Sequence, residues 1–208
     1  MASRLREIFD NSVMVDKIQQ RLPYMFQIAE LECMRGGKIG MEVGNLRERI
    51  IVALIVSLFG RENIETEIPT TQPEVDLKLF GEPISIKTIS GMVNGVKLVW
   101  TVDPQKVAEF VDTYSPTCDL LFIQIRWGEL GRFCYIPVEV QEAVLNRLGK
   151  RRYIVPPKQG TNPRGVEISR EALEASINDS RSKTIPIHWI KVETTYNPYD
   201  RWIEYWEE

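Results

Sequence analysis

Residues 73–88 read Pro73-Glu74-Val75-Asp76-Leu77-Lys78-Leu79-Phe80-Gly81-Glu82-Pro83-Ile84-Ser85-Ile86-Lys87-Thr88. Val75, Leu77 and Leu79 alternate with Asp76 and Lys78, the period of a half-buried strand. Ile84 to Thr88 repeats the alternation, and Phe80-Gly81-Glu82-Pro83 between the two runs holds two turn formers. A four-residue turn pairing Leu79 with Ile84 predicts Asp76 opposite Lys87, with Cβ atoms about 5 Å apart. An acid and a lysine then share one face beside Ser85. A carboxylate there attracts hard cations such as Mg²⁺, and the lysine can polarise a phosphate or position a water. The competing reading is a cross-strand ion pair on a solvated face, worth little energy.

On the N-terminal side of the hairpin, Asn45 followed by Leu46 to Phe59 and then Gly60 predicts a capped helix. Its centre, Ile50 to Val56, is apolar nearly all round, so it is expected to pack on the sheet. Glu48 has two readings. Asn45-x-x-Glu48 resembles a capping box, and the same acid could bring a second carboxylate to a cation held by Asp76. The preceding segment carries four glycines between residues 36 and 44, with Arg35 and Lys38 among them. Such a backbone bends or approaches something closely, and a nucleic-acid phosphate is a fitting neighbour for the two cations. Met41 either folds back onto the core or acts as an apolar wedge between bases. Further upstream, a short helix over 3–10 and a longer one over 13–34 are predicted. Val15, Ile18, Leu22, Ile28 and Leu31 lie at helical spacing, and Pro23 is expected to kink or split the long helix.

On the C-terminal side, strands are predicted over 96–102, 119–127, 132–138 and 184–193, with 119–127 the central one. Helices are predicted from Asp103-Pro104 to Tyr114, from Glu139 to Leu148 before Gly149, and from Ser169 to Asn178. The basic stretch from Arg147 to Arg164 includes Lys158, Asn162 and Arg164, residue types suited to phosphate contacts and base edges, or simply a solvated loop. Trp202, Tyr205 and Trp206 fall on one helical face, expected to dock on the chain's own core or to form a subunit interface. This order of elements predicts an α/β plan around a mixed sheet.

Composition narrows the chemistry. The chain has 208 residues and a net charge of −3, which argues against a polycationic nucleic-acid coat but not against a DNA enzyme. Its one histidine, His188, lies in an apolar strand-like run and reads as a core or edge residue, so histidine-based catalysis recedes. No Walker-type or GxGxxG loop is present. Three cysteines without CxxC spacing, and no secretory-leader pattern, lead to the expectation of a reducing cytoplasm. The apolar run Ile50 to Phe59 is too short to span a membrane.

A Gly-rich loop, a buried helix with Glu48, and a hairpin with Asp76 and then Lys87 together resemble the PD-(D/E)XK nucleases, and among them the type II restriction endonucleases. The resemblance implies a restriction-endonuclease-like mixed β-sheet flanked by α-helices. It divides a single nuclease domain, 1–208, into N-terminal helices (1–35), a catalytic core (36–145) and a basic and aromatic C-terminal part (146–208). Asp76 and Lys87 match the family's Asp and Lys. Two departures stand out: Pro73-Glu74 replaces the literal Pro-Asp, and Ser85 occupies the acid position before Lys87. Several family members draw a carboxylate from the preceding helix, here Glu48. The implied catalytic set is Glu48, Asp76 and Lys87. Mg²⁺ would be held by Asp76, Glu48 and the Ile86 carbonyl, with no organic cofactor. The implied double-stranded DNA contacts are Arg35, Lys38, Met41, Asn45, Lys158, Asn162 and Arg164, in a homodimer with no membrane partner. A second D-x-K, Asp76-Leu77-Lys78, would need Glu65 or Glu67 as its acid. Size and spacing are similar to the ThaI restriction endonucleases, which implies the palindrome CGCG cut to blunt ends. The alternatives are a structure-specific or repair nuclease of the same superfamily, and a non-catalytic DNA-binding or assembly protein.

Overall fold

The computed structural model describes residues 4–40, 42–69, 72, 74–92, 95–99, 104–157 and 165–207. In chain order, α1 spans Arg6–Asp10 and α2 Ser12–Glu32, and a small hairpin follows as β1 (Met34–Arg35) and β2 (Lys38–Ile39). Helix α3 (Val43–Phe59) leads through β3 (Ile64–Glu65) to the hairpin β4 (Leu77–Leu79) and β5 (Glu82–Ser90). Then come β6 (Gly95–Val99), α4 (Pro104–Thr113), β7 (Asp119–Ile125), β8 (Leu130–Ile136), α5 (Val138–Leu148) and α6 (Lys150–Tyr153). The chain ends with β9 (Ile154–Val155), β10 (Val166–Ser169), α7 (Arg170–Ile177), β11 (Lys183–His188) and α8 (Asp200–Glu207).

The main sheet is mixed, in the order β11-β8-β7-β5-β4-β3, with β5 and β7 parallel and the other neighbours antiparallel. Strand β7 is buried at every residue, as the uninterrupted apolar run predicts for a strand covered on both faces. One core packs α1, α2 and α3 on the sheet through Leu22, Phe26, Ile51, Ile55, Ile84 and Ile86. The other packs helices α4 to α7 on the opposite face through Phe122, Ile136, Val140, Tyr153 and Leu173. Ser169 caps α7 as expected, its hydroxyl accepting from the Ala172 amide at 3.0 Å.

Five expectations need correction. Pro23 does not split the long helix. Helix α2 runs 21 residues through it, and Leu22 and Phe26 beside it are buried in the core, so packing outweighs one lost hydrogen bond. The β4–β5 turn has two residues, not four. Leu77 pairs with Ile84 and Leu79 with Glu82 around Phe80 and Gly81, both with positive φ (51° and 83°), the conformation of a tight hairpin turn. Helix α3 starts at Val43, so Asn45 lies inside it and is not its cap. Finally, α8 buries no residue, so the aromatic tail does not dock on its own core. Strand β11 also stops at His188, which is exposed on the sheet's outer strand.

Candidate active site

Strand β4 is short, so beyond Ile84 no strand among the described residues pairs with the outer edge of β5. Asp76 closes that edge. Its amide donates to the Ile84 carbonyl at 2.9 Å. Its Oδ2 accepts from the Ile86 amide at 2.6 Å, Lys87 Nζ at 3.0 Å and Ser85 Oγ at 3.3 Å. In the observed register Asp76 faces Ser85 rather than Lys87. A slip of two residues preserves the face of every side chain, so the lysine reaches Asp76 from the diagonal position. The Asp76 and Lys87 side chains are only 23% and 17% exposed, so this is no solvated surface pair. All three donors converge on Oδ2, which leaves Oδ1 without a donor among the described residues.

Because α3 begins at Val43, Glu48 sits in its second turn and makes no capping box; Glu42 precedes the helix without a side-chain cap. Glu48 instead lines a groove of about 680 Å³ together with Asn45 and Asp76. Burial pushes the Glu48 carboxyl up to about 7, the negative charge of Asp76 pushes the same way, and Lys87 opposes both. Helix α3 and the hairpin thus bring the three residues of the expected catalytic set into one electrostatic unit.

Sequence reasoning did not single out Glu74. It lines a small cavity with Ser85 and Lys87, and Thr117 donates to its Oε2 at 3.4 Å. Its other oxygen is buried without a hydrogen-bond partner. Burial pushes this carboxyl up to about 7, with the Thr117 hydroxyl, the Lys87 charge and the Tyr114 hydroxyl opposing. The available signal was its place in the Pro-acid pair before Asp76. A second omission is Arg47. It is buried against Glu30 at 2.5 Å and donates to Ser90 Oγ on β5 at 3.1 Å, tying α3 to α2 and to the strand of Lys87. Glu30 also accepts from Trp127 Nε1 at 2.7 Å.

The remaining candidates fall into three groups. Arg35 and Lys38 face each other in the exposed β1–β2 hairpin just before α3, and Arg35 lies 3.5 Å from Glu42. Met41, Lys158, Asn162 and Arg164 lie outside the described residues. Lys78, of the second D-x-K, pairs with exposed Glu65 at 3.3 Å, an arrangement of ordinary surface character.

Asp76, Glu48 and the Ile86 carbonyl on the same strand edge are hard oxygen donors. Among the described residues no group of three or more His, Cys, Asp and Glu side chains is placed to hold a metal. Two carboxylates and a carbonyl still suit Mg²⁺, which keeps several waters and takes few protein ligands. The Glu48 carboxyl is raised first by burial and then by the charge of Asp76, with Lys87 opposing, and a bound cation would favour its ionised form.

A family model described as restriction endonuclease ThaI matches residues 8–208. The chain belongs to the ThaI restriction endonuclease family. Membership makes it a site-specific deoxyribonuclease. A solved structure described as a restriction endonuclease in complex with substrate DNA is similar over 99% of both chains, at 51% identity and a TM-score of 0.92. That likeness extends to the mixed sheet and its flanking helices. No curated protein sequence matches the chain.

Proposed function

We propose that this ThaI-family enzyme hydrolyses double-stranded DNA at the palindrome CGCG, leaving blunt ends, with Mg²⁺ as cofactor. The observation that carries the reading is the convergence of Lys87 and the Ile86 amide on Asp76 Oδ2, beside a groove shared with Glu48. The DNA held by the 51% identical relative supports the substrate class.

Asp76 and Glu48 are the metal-binding carboxylates, completed by the Ile86 carbonyl. Bound Mg²⁺ supplies charge stabilisation at the scissile phosphate and a more acidic water. The Ile86 amide and Ser85 hydroxyl fix the Asp76 carboxylate so that Oδ1 remains for a ligand. Lys87 places a positive charge where the phosphate gains negative charge and can hold the attacking water by a hydrogen bond. Glu48 binds a proton near neutral pH and must release it when a cation takes its place. A palindromic target calls for a two-fold homodimer, in which each subunit cuts one strand. Free, buried Cys33, Cys118 and Cys134 suit a reducing cytoplasm, and no helix among the described residues is long and apolar enough to cross a membrane.

Plasmid carrying CGCG sites is the test substrate. Discrete blunt fragments that map to those sites, formed with Mg²⁺ and not with chelator, are the expected result. Uncut plasmid, or fragments mapping elsewhere, would overturn the reading. Asp76→Ala and Lys87→Ala should bind the duplex and leave it intact.

A further inference from the structure

Glu74 has no part in the chemistry proposed above, yet it lies beside Lys87. Ser85 and Lys87 line a small cavity of about 20 Å³ together with Glu74, Tyr114, Thr117 and Gln141. That volume takes one water. Most of the polar groups around it are engaged. The Ser85 hydroxyl donates to Asp76, the Thr117 hydroxyl donates to Glu74 Oε2, and the Gln141 amide donates to the Cys118 and Ile136 carbonyls.

Two groups are left with capacity, and they are complementary. Glu74 Oε1 is buried and accepts from no group among the described residues, although the Tyr114 hydroxyl also lies against this carboxyl. A buried acceptor without a donor is costly, so a donor belongs there. Lys87 has donors to spare: an ammonium carries three, and one goes to Asp76 at 3.0 Å. The Lys87 charge acts on the Glu74 carboxyl, so the two are near neighbours across the cavity.

The anchoring of Glu74 makes it a useful second hold. Strand β5, which carries Lys87, lies between β4 and β7. Asp76 leads into β4. Glu74 is fastened to the loop ahead of β7, where Thr117 donates to its side chain and Cys118 Sγ donates to its carbonyl at 3.9 Å. A lysine stem is flexible, and one bond to Asp76 leaves the ammonium able to swing or to fold onto that carboxylate.

We infer that Glu74 is a positioning residue: through one water in this cavity its Oε1 holds the Lys87 ammonium as a second acceptor besides Asp76, and so keeps it aimed at the scissile phosphate. The inference rests on the proposed role of Lys87 in cleavage. What the position requires is a hydrogen-bond acceptor, not a full charge.

Single-turnover cleavage of a CGCG duplex with Mg²⁺, beside duplex affinity with Ca²⁺ in its place, tests the inference. Glu74→Met should slow cleavage about tenfold or more, the usual effect of losing a group that orients another, and leave duplex affinity unchanged. Glu74→Gln keeps an acceptor oxygen, and its amide can donate to Thr117, so it should restore most of the rate. On a Lys87→Ala background, Glu74→Met should cost nothing further, because the side chain it positions is gone. Should Glu74→Met not fold, Glu74→Ala takes its place with the same expectations. Equal losses for Met and Gln, or a Glu74→Met loss that multiplies with that of Lys87→Ala, overturn the inference. Wild type that leaves the duplex uncut, or Lys87→Ala that cuts at the wild-type rate, overturns the functional reading and the inference together. Lys87→Ala impaired while Glu74→Met cuts at the full rate overturns the positioning role alone.

Discussion

At the scale of single residues, Ser85 occupies the position where the PD-(D/E)XK pattern expected from the sequence would place an acid, and it donates to Asp76 instead of adding a charge. Its bond is long at 3.3 Å, so Ser85→Ala should reduce cleavage by less than about tenfold in a single-turnover assay. Lys87→Ala should reduce it by about a hundredfold or more, the usual effect of removing one donor aimed at developing charge. Near-equal losses for the two variants would contradict the roles assigned here. Glu48 sets a pH dependence of stability. Its carboxyl holds a proton up to about 7 in the folded chain, against 4.5 ordinarily. The folded state therefore binds more protons than the unfolded one across that interval, and stability falls as pH rises through it. Glu74 acts in the same direction over the same window. Thermal melts of metal-free protein should show Tm dropping between about pH 5 and pH 8. Added Mg²⁺ should raise Tm more at the higher pH, where Glu48 is ionised. Glu48→Gln should flatten part of both trends; an unaltered profile would remove Glu48 from the site.

At the scale of elements, the position of Glu48 depends on how α3 sits on α2 and β5. The buried Glu30–Arg47 pair, joined to Ser90, fixes that contact. Arg47→Met leaves Glu30 as a buried charge without its closest partner, so urea denaturation should show a loss of about 3–5 kcal/mol. Replacing Glu30 by Met as well should recover part of the loss, because apolar side chains of similar volume fill the space without uncompensated charge. A double variant less stable than Arg47→Met would show that Trp127 and Lys191, which also lean on Glu30, matter more than Arg47. The hairpin turn has its own element-scale constraint. Gly81 at φ 83° tolerates no Cβ without strain, whereas Phe80 is held at φ 51° by edge-on packing with Phe59 at 6.2 Å.

At the scale of the whole molecule, α8 leaves Trp202, Ile203, Tyr205 and Trp206 about half exposed or more, with Trp206 at 92%. Patches of this kind mark interaction surfaces. The Tyr196 hydroxyl bonds to Glu32, and Arg201 pairs with Glu32 at 3.3 Å, so the helix is anchored to α2 while its aromatic face stays open. The proposed homodimer gives that face a function. Trp202→Asp with Trp206→Asp should shift sedimentation from dimer to monomer and reduce double-strand cleavage. An unchanged mass would place the dimer contact elsewhere on the molecule.

Much of this architecture is encoded locally. Alternating residues mark β4 and β5, the apolar run marks β7 as central, and Ser169 marks the start of α7, because these patterns depend on neighbours a few positions apart. The same parity put Asp76 and Lys87 on one face even though the pairing register was read two residues off. Tertiary structure decided the rest. The two-residue turn at Phe80 and Gly81 goes with the observed register, and α3 begins at Val43, so Glu48 lies in a groove rather than in a cap. It also buried Glu74 beside Lys87, joined Glu30 to Arg47, and left the aromatic face of α8 uncovered. The sequence by itself therefore determined the elements and the face each side chain occupies, since periodicity is a local property of the backbone. Only the tertiary structure decided which carboxylates meet and how strongly they hold their protons. That depends on burial and on distances between residues far apart in the chain.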